Sequence, residues 1–248
     1  MEIDAVALAP SASVTIDGAL TDEAWQSARV IDGFTQREPR EGEAASFPTE
    51  VRLLVDAGAI YVAVRMHDPE PARIVGHLTR RDEHSPSDWI RVLIDSFNDR
   101  RTAYEFAVNP VGVKQDRYWF NDGNNDRGWD AVWDVATSRT EQGWQAEFRI
   151  PFSQLRFPRQ HDGRMGFAVM REVARLNETS TWPLVAMSRV GIVSQFGQLT
   201  NLSPGAAPKR LELVPYTVAR ATMSPAGDNP LVQGSNPQRP MKAPVSLK

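Results

Sequence analysis

Short runs in which apolar and polar residues alternate with a period of two recur along this chain, and they constrain its fold more than any other feature. Val51, Leu53 and Val55 share one side of Thr49–Asp56. After the turn chemistry of Ala57-Gly58, the residues Ile60, Val62, Val64 and Met66 alternate in the returning run, so the two read as a β-hairpin. Trp89–Asp95 sets Ile90, Val92 and Ile94 against Trp89, Arg91 and Leu93. Thr102–Asn109 alternates through Tyr104, Phe106 and Val108 and is closed by Pro110 and Gly112. Val113–Phe120, Val132–Arg139, Gly143–Ile150, Gly166–Val173 and Leu211–Ala219 are further strands. A period of two is what a half-buried antiparallel sheet requires. Helical signals are few. Thr21 reads as the cap of Asp22-Glu23-Ala24-Trp25, with two acids where the helix dipole favours them, and Pro151–Leu155 is at most one turn. The expected fold is all-β, an antiparallel two-sheet sandwich with one short N-terminal helix.

A chain of 248 residues suits one large all-β domain or two small ones. One β-sandwich domain is expected over residues 14–221, after a lead of residues 1–13. From Thr222 onward Pro225, Pro230, Pro237, Pro240 and Pro244 accumulate among Ser, Gly and Asn. That composition cannot bury enough apolar surface to offset its ordering entropy, so 222–248 is expected to be a disordered tail or linker.

The 28 basic and 31 acidic residues leave a net charge of −3 with no long run of either sign. A nucleic-acid surface would show a basic stripe, so no nucleic-acid partner is expected. Without cysteine, neither a disulfide framework nor a thiolate metal site can form. No stretch reaches the ~20 apolar residues of a membrane helix. Met1–Pro10 carries Glu2 and Asp4 and no basic start, so it is not a signal peptide. The chain either stays in the cytoplasm or is a segment of a longer precursor.

Enzymatic signals are sparse. There is no G-x-S-x-G elbow and no paired-histidine motif among His67, His77, His84 and His161. A glycosidase needs two carboxylates roughly 5–10 Å apart. Asp88 and Asp95 bracket one strand and are about 23 Å apart at ~3.3 Å per residue. A cross-strand pair such as Glu105 with Glu147 is the enzymatic alternative, against the plain reading of exposed acids on polar faces. Asp122, Asn124 and Asp126 offer oxygen ligands at alternate positions of a Gly-containing loop, the set that calcium takes. Arg127 and Trp133 stand where an EF-hand loop has Gly and Glu, and an ordinary Asn/Asp/Gly turn explains the same letters. No cofactor is required, and structural calcium is the one candidate.

Seven tryptophans are many for this length. Trp25, Trp133 and Trp144 sit in patterns where core packing is the default. Trp89, Trp119, Trp129 and Trp182 fall beside loops or opposite the presumed core. Exposed indoles flanked by planar polar side chains suit the C–H faces and rim hydroxyls of sugars; a second layer covering the same rings is the competing reading.

These motifs together resemble the family 9 carbohydrate-binding-like domains. Val14-Thr-Ile-Asp-Gly-Ala-Leu-Thr-Asp-Glu-Ala-Trp25 is similar to their opening, and Thr49–His67 to the hairpin that follows. Asp88–Asp95, Tyr104–Asn109 and Gly112 resemble the next paired strands. Trp133, Trp144–Phe152 and Leu155-Arg-Phe157 resemble the subgroup found N-terminal to bacterial outer-membrane-barrel-like proteins, and Gly166–Arg171, Glu178, Trp182 and Leu211–Tyr216 continue it. The resemblance spans about Val14 to Tyr216. It implies an immunoglobulin-like or jelly-roll sandwich that binds saccharides without catalysis, often beside glycoside hydrolases, outside the cytoplasm. It also implies two tryptophan walls with polar contacts from a D-x-V-E-I-F strand and an F-R-V-N strand. Here Arg91 stands where that Glu does, Ala107 replaces the Arg, Asn109 is kept, and Trp182 matches the second tryptophan. The expected ligand-binding residues are therefore Trp182, Asn109, Trp89, Trp119 and Arg91. The alternatives are an interaction module attached to a membrane barrel, and a glycoside hydrolase.

Overall fold

The computed structural model describes residues 1–158 and 162–202; His161, the strand read at Leu211–Ala219 and the tail from Thr222 lie outside the described residues. Among these, the chain forms β1 (Glu2–Asp4), β2 (Val6–Ala7), helix α1 (Ala24–Ser27), β3 (Thr35–Glu38), β4 (Thr49–Val55) and β5 (Ala59–His67). It continues through β6 (Trp89–Asp95), β7 (Ala103–Val108), β8 (Lys114–Phe120), β9 (Asn124–Asp126), β10 (Asp134–Thr140) and β11 (Gly143–Pro151). β12 (Met165–Val173), β13 (Glu178–Trp182) and β14 (Gly197–Thr200) complete it. The larger sheet runs β1-β14-β12-β6-β7-β8-β9, with β13 pairing β12 and carrying β3 outside it. The smaller runs β10-β11-β5-β4-β2.

Alternation decides which side chains meet between the sheets. Val51, Leu53 and Val55 of β4, with Ile60, Val62, Val64 and Met66 of β5, face Ile90, Val92 and Ile94 of β6 and Phe106 of β7 in one buried core. Trp133 stacks on Phe148 there at 5.8 Å between centroids. Trp25, Trp133 and Trp144 are all buried, as their patterns imply. Arg171 also points inward from β12. Its Nη1 donates to the Pro48 carbonyl at 2.9 Å and its Nη2 to the His67 carbonyl at 2.7 Å, which bolts the two sheets together at one end. Burial pushes that guanidinium down to about 10.

Two expectations need correction. The sandwich is mixed rather than wholly antiparallel, because β1 pairs β14 and β2 pairs β4 in parallel. The lead is where this happens: Glu2–Asp4 joins the larger sheet and Val6–Ala7 the smaller, with buried Ala5 crossing between them. Runs of two or three residues are too short to show a period. The helix cap is Glu23, with no side-chain cap bond, rather than Thr21. Asp22 instead accepts from the Thr15 amide at 2.9 Å, so an upstream loop holds the turn.

Both sheets carry a second layer outside the core. Residues Val6 to Ala28 lay Val14, Ile16, Leu20 and Trp25 over Leu54, Tyr61 and Ala63 of the smaller sheet. Val185, Val193 and Phe196 cover Leu93, Ala103, Trp119 and Ala168 of the larger. All seven residues of β6 are consequently buried, although the sequence marked only every other one as core.

Candidate functional site

The strand residues that point away from the core on β6, β7, β8 and β12 assemble a polar array on the outer face of the larger sheet. Register sets Arg91 between Met170 of β12 and Ala107 of β7, and sets Glu105 between Leu93 of β6 and Arg117 of β8. Glu105 is the hub. Its Oε1 accepts from Arg91 Nη1 at 2.7 Å and its Oε2 from the Trp119 indole at 2.7 Å, while Arg117 Nη1 stands 3.7 Å away. Arg91 also donates from Nε and Nη2 to Glu172 Oε1, at 3.0 and 2.9 Å. Arg117 Nη2 donates to Gln115 Oε1 at 3.1 Å, and Gln115 in turn donates to the Glu83 carbonyl at 2.9 Å.

Two arginines meet two carboxylates, but they are not equally served. Burial opposes the charge of Arg91, yet Glu105 and Glu172 outweigh it and hold its pKa above the ordinary value. For Arg117, burial prevails over the attraction of Glu105 and pulls its pKa down. The side chains of Arg91 and Glu105 are 7% and 1% exposed, those of Arg117 and Glu172 12% and 28%. The array is thus a fixed ionic base with two heads that solvent reaches. A hydroxyl-bearing ligand would find a planar cation and a carboxylate there, already oriented by their neighbours.

Of the residues expected from sequence, Arg91, Trp89 and Trp119 fall on this face, Asn109 lies at the β7–β8 turn and Trp182 on the inner side of the sheet, and the indoles lack the exposure expected of them. Trp89 is fully buried over Ala107 and Val113, its indole donating to the Ser85 carbonyl at 3.1 Å. Trp119 lies under Val193 and Phe196, and Trp182 packs in the inter-sheet core 6.3 Å from Phe167. Solvent-facing indoles are corrected here: second-layer loops cover Trp89 and Trp119, which alternation turns outward, and alternation turns Trp182 inward to the core. Asn109 is buried and closes the β7–β8 turn: Nδ2 donates to the His77 carbonyl at 2.9 Å, and Oδ1 accepts from the Val111 and Val113 amides at 3.1 and 2.9 Å. Arg91 sits at the centre of the array.

The carboxylate pair is not assembled. Glu105 belongs to the outer face of the larger sheet, whereas Glu147 lies on the outer face of the smaller one beneath Trp25, with the core between them. The loop read for calcium is the β8–β9 hairpin turn, with Asn121 and Asp122 at φ 49 and 63. Asp122 Oδ1 accepts from the Ile192 and Ser194 amides at 3.1 and 2.7 Å, anchoring the covering loop, while Asn124 and Asp126 stand exposed on β9. Among the described residues no three His, Cys, Asp or Glu are grouped to hold a metal ion. Arg117, Glu172 and Gln115 went unremarked in the sequence. Their signal was the polar phase of strands whose apolar phase was read: Gln115, Arg117 and Trp119 alternate with Asp116, Tyr118 and Phe120.

A family model described as carbohydrate family 9 binding domain-like matches residues 16–181. No curated protein sequence matches the chain. Among solved structures, the fold is similar to a family 9 carbohydrate-binding module from Caldicellulosiruptor kristjanssonii in complex with cellotriose. That match has TM-score 0.56 and 20% identity, covering 87% of this chain and 100% of that one. It is similar also to a family 9 module of the same organism in complex with glucose, at TM-score 0.59 and 17% identity over 86% and 100% of the two chains. A Bacteroides uniformis protein described as carbohydrate-binding matches at TM-score 0.64 and 12% identity, over 80% and 98%. At these identities the likeness is one of fold.

Proposed function

This chain belongs to the carbohydrate family 9 binding domain-like family, and from that premise we propose that it is a non-catalytic module that binds a saccharide on the outer face of its larger sheet. The observation that carries this reading is the Arg91–Glu105–Arg117–Glu172 array, with its two solvent-reached heads on a rigid four-strand base. Positions 91 and 107 are cross-strand partners. They are the positions to which the resemblance assigns a Glu and an Arg contact. Here the cation has moved to β6 and takes its counter-charges from β7 and β12, so the polarity of the site is reversed and the preferred sugar changes with it. Trp89, Trp119 and Asn109 then act as positioning residues beneath the ligand, and Trp182 as support for β13. The solved relatives bound to cellotriose and glucose support a saccharide as the ligand class. The family's ordinary setting supports a location outside the cytoplasm.

Calorimetry of the chain against a panel of neutral and acidic oligosaccharides tests this. Binding in the micromolar to millimolar range, about −8 to −4 kcal/mol, is expected, with at least about a tenfold loss in Arg117→Ala. Absence of heat across the panel at millimolar sugar would sink the reading. The burial of every expected indole platform favours a second reading, a protein-interaction module attached to a membrane barrel, which that null result would leave standing.

A further inference from the structure

We propose that a cavity on the opposite side of the molecule, between α1 and the β4–β5 hairpin, is a second binding site for one neutral, pyranose-sized hydroxylated ligand. The cavity measures about 190 Å³ and is lined by Asp22, Trp25, Gln26, Glu50, Arg52 and Arg65 among others. It is below the roughly 300–1,000 Å³ of sites for drug-sized molecules, so it admits a single ring and no chain.

Its floor is the outward phase of two paired strands. Register puts Glu50 directly opposite Arg65, and Arg52 opposite the small Ala63. Arg52 is fixed from above: its Nη1 donates to the Trp25 and Ala28 carbonyls at 3.1 and 2.9 Å. That leaves Nε and Nη2, with three of the five guanidinium N–H groups, for other partners. Glu50 is held by His67 Nε2 at 3.2 Å and Arg65 Nη1 at 3.7 Å. The Trp25 ring is held at the wall by its own bond to Glu147.

Two arginines and two carboxylates balance, which disfavours an ion of either sign. The lining supplies donors (Arg52, Arg65, Gln26) and acceptors (Asp22, Glu50, Gln26) in similar number, and a hydroxyl is the group that both donates and accepts. Trp25, 3% exposed, closes the wall and acts as a reporter of occupancy rather than as a stacking face. The site lies on the smaller sheet, so it does not rest on the reading of the Arg117 face. Two sites on opposite faces would let one module engage two chains of a polysaccharide.

The test is a ¹H–¹⁵N NMR titration of the chain with four neutral monosaccharides, glucose, galactose, mannose and xylose. At least one is expected to shift the Trp25 indole resonance with a Kd of about 1–10 mM. Gln26→Ala combined with Arg65→Ala, both outside the core, should weaken that response about tenfold or more while the remaining spectrum stays in place. Arg117→Ala should leave it unchanged. No shift at Trp25 with any of the four, a shift that survives the double substitution, or one abolished by Arg117→Ala would each overturn the proposal. Failure of the larger-sheet reading is seen separately, as an oligosaccharide-panel response that is absent at the Trp119 indole or unchanged by Arg117→Ala.

Discussion

The indole of Trp25 donates a 2.9 Å hydrogen bond to Oε1 of Glu147, joining helix α1 to the middle of the smaller sheet 122 residues later. Oε2 of the same carboxylate accepts from the Gly18 and Asp17 amides at 2.9 and 3.1 Å. Burial pushes the pKa of Glu147 up while these three donors pull it down. Glu147→Gln turns an amide N–H₂ toward groups that donate, and Trp25→Phe removes one donor from a buried carboxylate. Each should cost about 1–3 kcal/mol, and the double substitution less than the sum because both act on one network. Urea unfolding followed by circular dichroism measures this; two single variants with wild-type midpoints would refute it.

That bond also shows what was legible in the sequence. Val14–Trp25 and Trp144–Phe152 are two of the motifs that carry the family resemblance, and the structure reveals them as the two halves of one clamp. The inner faces of β4, β5, β6 and β7 could be read from alternation alone, since apolar residues every second position have one consistent burial. Outward-pointing residues carry no such signal. Whether Trp89 or Trp119 meets solvent depends on loops at 85–87 and 185–196, far off in sequence, and alternation is silent about them. The same limit hid β1, β2, β9 and β14, at two to four residues each. The polar array was hidden for a further reason. Its members come from four strands and acquire meaning only through register.

Stability should increase on mild acidification, and Asp95 is the largest identifiable cause. Burial raises its pKa from 3.8 to about 6, although the Arg100 and Asp99 amides donate to its carboxylate. A raised acid pKa means that the folded state holds the proton more tightly than the unfolded one. The associated stabilisation is complete below about pH 3.8 and is lost as pH rises through about 6, an effect of about 3 kcal/mol. Asp68, paired with Arg175, has its pKa lowered and works oppositely, but only below about pH 4. Thermal unfolding should therefore show a higher Tm at pH 5 than at pH 7.5. Asp95→Asn, which cannot titrate, should flatten that slope whatever its own cost in stability.

Gly143 opens β11 at φ +144, and a Cβ there would lie 2.0 Å from the Met66 carbonyl oxygen of the neighbouring strand. The Met66–Asp68 backbone it meets cannot yield without breaking the β11–β5 ladder. Gly143→Ala should destabilise by about 3 kcal/mol or more, or prevent folding. Gly58, in the β4–β5 turn, provides the control: the nearest atom to its Cβ would be Asp56 Oδ1 at 3.5 Å. Gly58→Ala should stay within about 1 kcal/mol of the parent. Differential scanning fluorimetry of the two variants separates them, and similar Tm values for both would show that the Gly143 contact relaxes.

The Arg91–Glu105 pair poses the sharpest test of how the larger sheet's outer face is built. Removing the cation alone, as in Arg91→Met, leaves Glu105 buried with only the Trp119 indole and a 3.7 Å contact to Arg117. It also frees Glu172 from two hydrogen bonds. An uncompensated buried charge of this kind costs about 3–5 kcal/mol. Replacing the pair together, Arg91→Met with Glu105→Leu, exchanges the desolvated ions for apolar contacts with Leu93 and Met170. The double variant should then recover most of the loss, since apolar replacements of buried ion pairs are often neutral or stabilising. Stability and ligand binding should part company at this point. The double variant is expected to fold yet bind saccharide at least about tenfold more weakly than the parent, because Arg117 and Glu172 lose the groups that orient them. Calorimetry on that folded double variant gives the decisive reading: undiminished affinity would mean that the ionic array holds the sheet together and takes no part in recognition.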